Sequence, residues 1–223
     1  MIYHYDLHIH SVLSPCADEL MTPNNIFNMA MLKNLDIIAI TDHNSMKQLT
    51  VCNELSKSYD LLFVPGVELT LSEGIDVLVY FKSMNQALSF DTMIEPLLKK
   101  THFDESYYGT QEIMDINDQT IYNYPYLLIE PLRLSMKDLN DLLRHYDTFV
   151  VVPHIERQPS CVTELFKHIN IHAVETKDDK SRYRIVHNSD AHQLFDINEV
   201  NDNNEIPLES LTLDALFAYF NHG

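Results

Sequence analysis

The sequence has no tryptophan, only four glycines and three cysteines. So little glycine, without any low-complexity tract, argues against a fibrous or disordered chain. Three cysteines without C-x-x-C spacing predict no disulfide framework and favour the reducing cytoplasm. The sequence also lacks a long apolar run and a basic N-terminal region, so we expect neither a membrane span nor a signal peptide.

Basic residues are scarce as well, since 15 lysines and arginines face 33 acidic residues and the formal net charge is −18. This charge predicts that the protein does not bind duplex nucleic acid, which needs a broad basic surface. A small phosphorylated partner, such as a nucleotide or short single strand, remains compatible if divalent cations supply local positive charge. The 12 histidines of this acidic chain agree with that view. The oligomeric state is left open.

The length of 223 residues suits one domain with one substantial core. Apolar runs predict strands, and amphipathic segments between them predict helices, the last of which is capped by Ser210. The alternation predicts an α/β fold whose mostly parallel sheet is either open or closed into a barrel. The predicted strands are 2–8, 36–41, 61–67, 75–81, 148–153, 171–175 and 185–188. The predicted helices are 23–34, 44–58, 84–99, 135–146 and 210–220.

Residues 101–130 interrupt this alternation. The segment is polar and rich in tyrosine, which predicts an inserted flap or a small antiparallel piece. Its tyrosines could stack on a nucleotide base or pack the flap against the barrel, and the second interpretation is favoured.

The first predicted strand ends in His8-Ile9-His10. Because side chains alternate along a strand, His8 and His10 point the same way, and Asp6 lies beside them. Two imidazoles at this spacing can bind one metal ion.

Other predicted strands also end in metal-ligating side chains, and in parallel strands these ends meet at one face. In the alternative, these groups are buried independently and each needs its own hydrogen-bond partner. Asp42 would then cap a helix and His43 would lie on the surface. We therefore predict one metal site that is formed by both imidazoles and carboxylates. Such ligands suit Mn, Fe or Zn. The candidates are His43, Glu68, His154, Asp190 and His192, with Asp18 as a further ligand and Cys16 as a less favoured one.

The segments DLHIHS, ITDHN, GVEL, PHIER and NSDAH, in this order, resemble the polymerase-and-histidinol-phosphatase (PHP) family, and SPCAD and HIERQPS are similar to its stand-alone bacterial phosphoesterases. The resemblance implies a distorted (β/α)7 barrel of the PHP type with a small insert, and up to three metal ions. It implies a first metal at His8, His10, Glu68 and Asp190, a second at Glu68 and His154, and a third at Asp18, His43 and His192.

One position departs from the family pattern, since Asp76 stands where relatives carry a histidine ligand of the second metal. Aspartate is a harder ligand, so this site would favour Mn or Fe over Zn, or be weak or empty. His102 is an alternative ligand from the polar insert.

The resulting hypothesis is a metal-dependent phosphoesterase that hydrolyses a phosphate mono- or diester with two or three divalent ions and a metal-bridging hydroxide. Arg157 is expected to hold a phosphate oxygen, or else to pair with Glu156 or a neighbouring carboxylate. The acid for the leaving group could be His43, His192 or Asp6.

Three alternatives compete with this hypothesis. A regulatory metal-binding module with little turnover would account for the lost histidine at position 76, but the other ligand positions are filled. Amidohydrolase-like C–N hydrolysis is disfavoured, because it usually needs a metal-bridging lysine in the middle of the chain and none of the motifs quoted above contains a lysine. A histidinol-phosphate phosphatase would share the chemistry, although the motifs favour it less.

Overall fold

The computed structural model describes residues 1–160, 162–178 and 181–221. In these residues, seven strands form one curled sheet, with helices on its flanks. The protein therefore has the mixed α/β architecture that the sequence predicts. The strands are β1 (Ile2–Ile9), β2 (Ile37–Ile40), β3 (Leu62–Thr70), β4 (Asp76–Phe81), β5 (Glu112–Met114), β6 (Thr120–Asn123), β7 (Thr148–Val152), β8 (Ala173–Val174) and β9 (Glu205–Pro207). The order of the strands in the seven-stranded sheet is β8-β7-β4-β3-β2-β1-β9. The helices are α1 (Pro23–Leu32), α2 (Leu49–Ser56), α3 (Met84–Ile94), α4 (Glu105–Tyr108), α5 (Met136–Leu143), α6 (Val162–Leu165) and α7 (Leu213–Asn221).

Most strands of the sheet run in one direction, whereas β4 and β9 run in the opposite direction. The direction of β4 follows from its connection, because only residues 71–75 separate it from β3 and Gly74 turns there with φ of 72°. A parallel pair would need a crossover of about a dozen residues. The start of β4 therefore lies beside the end of β3, where Asp76 pairs with Thr70.

Alternate residues of the central strands face two hydrophobic layers, as the period of two in a strand requires. Ile38 belongs to the layer formed with α1, α2, α3 and α5, whereas Ile37 faces α7. On the α7 side, the ring of Phe149 stacks on that of Phe220 with centroids 4.2 Å apart. Both faces of the sheet are thus buried, which explains why its strands are nearly continuous apolar runs.

The side of the sheet between β8 and β1 is spanned by residues 185–191, where the sequence predicts a strand at 185–188. In the described residues this segment makes only isolated parallel bridges, Val174 with Ile185 and Ile9 with Ala191. A regular ladder is replaced by a side chain, because Asn188 Oδ1 accepts the N–H of Leu7 at 2.9 Å. The sheet is consequently curled without being closed by a full strand.

The segment 101–130 contains α4 and a separate antiparallel pair, β5 and β6. It contacts the loop after β1, since the N–H of Glu112 donates to the carbonyl of Val12 at 2.9 Å. Tyr124 is 5% exposed and Tyr107 is 80% exposed. The tyrosines of this segment therefore divide into a packed group and an exposed group.

Two predicted helix starts are wrong. Helix α2 begins at Leu49 and not at 44, because Asn44 has φ of 49° and its side chain donates to two carbonyls of the insert. A left-handed residue cannot continue an α-helix. Ser210 does not cap α7, since Thr212 Oγ1 accepts the N–H of Ala215.

The described residues contain no helix that is both long and apolar enough to cross a bilayer. Cys16 and Cys52 are free thiols, and Cys161 lies outside the described residues. No disulfide therefore joins the cysteines that the structure describes.

Candidate metal centre

The predicted ligands come from strand ends that meet at one edge of the sheet. His8 and His10 lie at the end of β1, and Glu68 lies on β3 two residues before its end. The others follow β2 and β7, or lie within and directly after the segment 185–191. They are His43, His154, Asp190 and His192.

Glu68, which is 1% exposed, lies at the centre of this group. Its Oε2 is 3.1 Å from Nδ1 of His43 and 3.3 Å from Nε2 of His10. The same oxygen is 3.5 Å from Nε2 of His8, while Oε1 is 3.2 Å from Nε2 of His154. Yet neither Oε2 nor His43 Nδ1 has a hydrogen bond of good geometry. Buried polar atoms that converge without aligned hydrogen bonds are explained by a cation between them.

Within the described residues, three groups of ligand atoms lie close enough to hold an ion, each with all its atoms within 4.8 Å of one another. The atoms are imidazole nitrogens and carboxylate oxygens, which suit divalent transition metals. The groups are His8, His10 and Glu68; Glu68, Asp76 and His154; and His10, His43 and His192.

A buried carboxylate that the sequence did not reveal orients His8. Glu175 follows β8 and accepts a hydrogen bond from His8 Nδ1 at 3.1 Å. It also accepts from the N–H of His154 at 3.1 Å and from Asn188 Nδ2 at 2.8 Å. With its proton on Nδ1, His8 presents the lone pair of Nε2 to the centre, which is the common arrangement of metal-binding histidines.

A hydrogen-bond relay orients His10 in the same way. Its Nδ1 lies 3.0 Å from Ser14 Oγ, and that hydroxyl donates to Asp42 Oδ1 at 2.7 Å. Since the hydroxyl proton goes to Asp42, the oxygen accepts the Nδ1 proton of His10. Asp42 also accepts two hydrogen bonds from Ser11, so it is a buried support of the centre and not the helix cap considered above.

These two relays have a direct electrostatic consequence. Both Nε2 atoms, of His8 and of His10, are left as lone pairs and lie 3.2 Å apart. Two such lone pairs repel each other unless a proton or a metal ion lies between them. In the protein without metal, the charges of Glu175 and Glu68 outweigh burial and raise the pKa of His8 well above its usual value. Metal and protons therefore compete for this position.

Two imidazoles of the third group, those of His43 and His192, are neutral. Burial lowers the pKa of His43 to about 3 and also lowers that of His192. Both rings are uncharged at neutral pH, so they fit a role as metal ligands and not as the acid for the leaving group. His192 Nδ1 contacts the carbonyl of Asp190 at 2.8 Å, and its Nε2 lies 3.1 Å from Cys16 Sγ.

Five ligand or acid candidates from the sequence lie outside the groups, namely Asp190, Cys16, Asp18, His102 and Asp6. The exposed Asp18 uses its carboxylate to accept the N–H of Leu20 at 2.9 Å. His102 is exposed in the insert, where its ring lies 5.2 Å from that of Tyr126. Asp6 is fully buried and accepts the N–H groups of Ser189 and Asn198. These contacts make Asp6 a tether between β1 and the residues that follow 185–191.

Arg157 pairs with a predicted ligand. Its guanidinium donates to Asp190 Oδ2 at 2.7 Å, while Asp190 Oδ1 lies 3.3 Å from Nε2 of His8. Burial raises the pKa of Asp190, but its hydrogen bond to His10 and the charges of His8 and His10 hold it below its usual value. Arg157 thus fixes the outer oxygen of Asp190 while the inner oxygen faces the centre, and the salt-bridge alternative describes its contact.

Two of the predicted ligands have strained backbone conformations. His154 and Asp190 have φ of 32° and 54°, in the left-handed region that non-glycine residues rarely adopt. Such conformations cost about 1–3 kcal/mol each and persist only where the surroundings impose them. On the strand below Glu68, Gly66 leaves room for another close approach, since a Cβ there would lie 2.9 Å from Thr41 and from Tyr80.

The sequence comparisons identify no family. No family model matches the chain. An uncharacterized protein of Methanocaldococcus jannaschii is 32% identical over 77 residues, which cover 31% of this chain and 45% of that protein. The chain thus spans less than half of that relative.

Solved structures share the fold at low identity. Endonuclease Q of Pyrococcus furiosus is similar over 100% of this chain and 56% of its own, with a TM-score of 0.72 and 16% identity. An Endonuclease Q complex with a 27-mer duplex substrate has a TM-score of 0.68 and 15% identity, and the similarity covers 100% of this chain and 57% of that one. A protein described as a metal-dependent phosphoesterase from Bifidobacterium adolescentis has a TM-score of 0.60 and 16% identity, over 98% of this chain and 96% of that one. An amidohydrolase from Chromobacterium violaceum has a TM-score of 0.60 and 15% identity, over 94% of this chain and 93% of that one.

These neighbours are hydrolases, in agreement with the predicted enzyme class. One prediction is contradicted, namely that a small phosphorylated molecule is the partner and that duplex nucleic acid is excluded. A protein with this fold binds a duplex substrate at its active site. The net charge of −18 misled the prediction, because a sum over the whole chain says little about the local field at a metal-binding edge.

Proposed function

We propose that this chain is a metal-dependent phosphoesterase of the PHP type that hydrolyses phosphodiester bonds of nucleic acid. The observation that carries the proposal is the convergence of three imidazole nitrogens on the buried Oε2 of Glu68. The likeness to Endonuclease Q supports nucleic acid as the substrate class. The chain spans 57% of that enzyme, so the substrate is proposed on the centre and the fold alone.

The residues of the three groups fit divalent ions, because their lone pairs converge and the tautomers of His8 and His10 are fixed from outside. One ion of Mn, Fe or Zn would be held by His8, His10 and Glu68, with Asp190 as a fourth ligand. A second ion would be held by Glu68, Asp76 and His154, and a third by His10, His43 and His192. Bound ions of this kind supply Lewis acidity and lower the pKa of water to about 7. Asp18 remains a proposed further ligand. Its carboxylate would reach a metal ion only if the loop that contains Asp18 moved.

The chain's own residues position the reacting groups. Glu175 and the relay of Ser14 and Asp42 keep the ligand rings fixed, which limits reorganisation during the reaction. Arg157, whose side chain is 64% exposed, keeps further N–H groups that can bind a phosphate oxygen while one holds Asp190. Because His43 and His192 are neutral at pH 7, we assign no side-chain acid and propose that solvent protonates the leaving group.

A second candidate, the metal-binding module with little turnover, is favoured by one contact. Gln158 Nε2 lies 3.4 Å from His154 Nδ1, which favours the proton on the His154 nitrogen that faces Glu68. A metal at the group containing Asp76 would have to displace that proton. In the other groups, the hydrogen bonds of His8 and His10 direct their Nε2 lone pairs to the centre, so the phosphoesterase remains the main proposal.

Hydrolysis of bis-p-nitrophenyl phosphate and of labelled single-stranded and duplex DNA with Mn²⁺ tests the proposal. His10→Ala should lower the rate at least about 100-fold, because it removes a shared ligand. His145→Ala, which changes an exposed histidine after α5, is the matched control and should retain full activity. Full activity of His10→Ala, or no hydrolysis by the unmodified chain with Mn²⁺, Fe²⁺ or Zn²⁺, would reject the proposal.

A further inference from the structure

A cleft of about 530 Å³ opens beside the metal centre. It shares His154, Glu175 and Asp190 with the centre and extends from there over residues 176–177 and 186–203. Its size is within the range of about 300–1,000 Å³ that is usual for ligand pockets. A phosphate bound at the centre would therefore have one of its two ester groups in this cleft.

Most of the side chains that line the cleft can form hydrogen bonds. Among the described residues that line it, Val186 is the only aliphatic one, and the only rings are the imidazoles of His154 and His187. Asparagine is the commonest lining residue, at positions 188, 198, 201 and 203. Such a lining does not suit a hydrophobic group, and it provides no tyrosine, phenylalanine or tryptophan on which a base would stack. It suits the hydroxyl and phosphate oxygens of a sugar–phosphate backbone.

In the part of the chain that the structure describes, two cations line the cleft, Arg157 and Lys177. Arg157 lies at the metal end, where it pairs with Asp190. The main chain of Lys177 is anchored, because its N–H donates to Glu156 Oε1 at 2.6 Å and the same oxygen accepts from Thr176 Oγ1 at 2.7 Å. These hydrogen bonds hold Lys177 at the cleft and lower the pKa of Glu156.

We propose that this cleft binds the nucleotide that adjoins the scissile phosphodiester, and that Lys177 binds the next phosphate of the strand. The inference rests on the proposed function, which places the scissile phosphate at the metal centre. It adds a second phosphate site and a mode of recognition that does not depend on the base. The preferred substrate is then an internal position of a strand, since only there does a phosphate follow the cleaved one.

The test is binding of a short fluorescein-labelled phosphorothioate single strand to the Mn²⁺-loaded chain, followed by fluorescence anisotropy over a range of salt concentrations. Lys177→Gln removes the charge at similar length and should weaken binding roughly tenfold at low salt. The slope of log K against log salt should become shallower by about 0.7, the value for one phosphate contact on a single strand. Lys99→Gln, at an exposed lysine outside the cleft lining, is the matched control.

The outcomes separate this inference from the proposed function. If Lys177→Gln weakens binding and flattens the salt slope, while oligo-dA and oligo-dT bind within about twofold of each other, the inference is supported. If the unmodified chain hydrolyses bis-p-nitrophenyl phosphate but Lys177→Gln binds the strand as the unmodified chain does, only the inference is wrong. A strong preference for one base would also overturn it. If the unmodified chain hydrolyses no phosphate ester with any of the metals, the proposed function fails, and the inference fails with it.

Discussion

Replacing Glu175 by glutamine keeps the shape of the side chain and turns one acceptor oxygen into an NH2 group. In the structure three donors surround this carboxylate, namely His8 Nδ1, the N–H of His154 and Asn188 Nδ2. An amide has a single acceptor oxygen, so at least one donor would face another donor. His8 can relieve that conflict by moving its proton to Nε2, which removes the lone pair that faces the metal centre.

The expected loss of metal affinity is about 10- to 100-fold, as is usual when the outer partner of a metal-binding histidine is removed. At 1.36 kcal/mol for each factor of ten, this equals about 1.4–2.7 kcal/mol. The reasoning assigns the loss to the tautomer of His8, and not to a missing ligand, so the affinity should fall without the site being abolished.

Isothermal titration with Mn²⁺ at pH 7.5 measures this effect on protein from which metal has been stripped. Asp91→Asn is the matched control, since Asp91 is a buried carboxylate that accepts the N–H of Met46 and contacts Lys47, away from the centre. The control should lose stability and keep its metal affinity. Equal Mn²⁺ affinity of Glu175→Gln and the unmodified chain would refute the reasoning.

Two further predictions concern stability. Burial raises the pKa of Asp6 to about 6, from 3.8 in the unfolded chain, so Asp6 favours folding below pH 4 and this contribution is lost as the pH rises through 6. In metal-free protein Asp6→Asn should therefore reduce the fall in unfolding free energy between pH 4 and pH 7 by up to about 3 kcal/mol in urea titrations; an unchanged pH dependence would contradict this. Gly66→Ala should lower the unfolding free energy by about 1–3 kcal/mol, because the added Cβ would lie 2.9 Å from Thr41 and Tyr80. An unchanged unfolding free energy in urea titrations would contradict this prediction.

The ends of the strands were predictable from sequence because apolar runs and the polar residue that follows them are local features. His8, His10, Glu68 and Asp190 were chosen on that basis, and the structure brings them together. The position of Asp76 at the same edge depends on the antiparallel direction of β4. Residues 71–75 are too short for a parallel crossover, so that direction was also readable from the sequence.

The supports of the centre were not predictable in this way. Glu175 lies 167 positions from His8 along the chain, and the pairing depends on how β8 approaches β1 across the open side of the sheet. Its signal, a carboxylate directly after an apolar run, was present but was assigned to the strand itself. The contact of Asp18 was not predictable either, because its place in a motif did not reveal that its carboxylate accepts the N–H of Leu20. The start of α2 was misplaced because the left-handed Asn44 bonds to a distant segment.

The metal content of the chain tests the central claim most directly. The protein would be purified without chelator, dialysed against metal-free buffer and measured by mass spectrometry, beside a Glu68→Gln variant. Because Glu68 belongs to two of the three ligand groups, we expect two or three ions of Mn, Fe or Zn per chain and a loss of at least one in the variant. Less than one ion per chain before and after incubation with these metals, or an unchanged content in Glu68→Gln, would contradict the account.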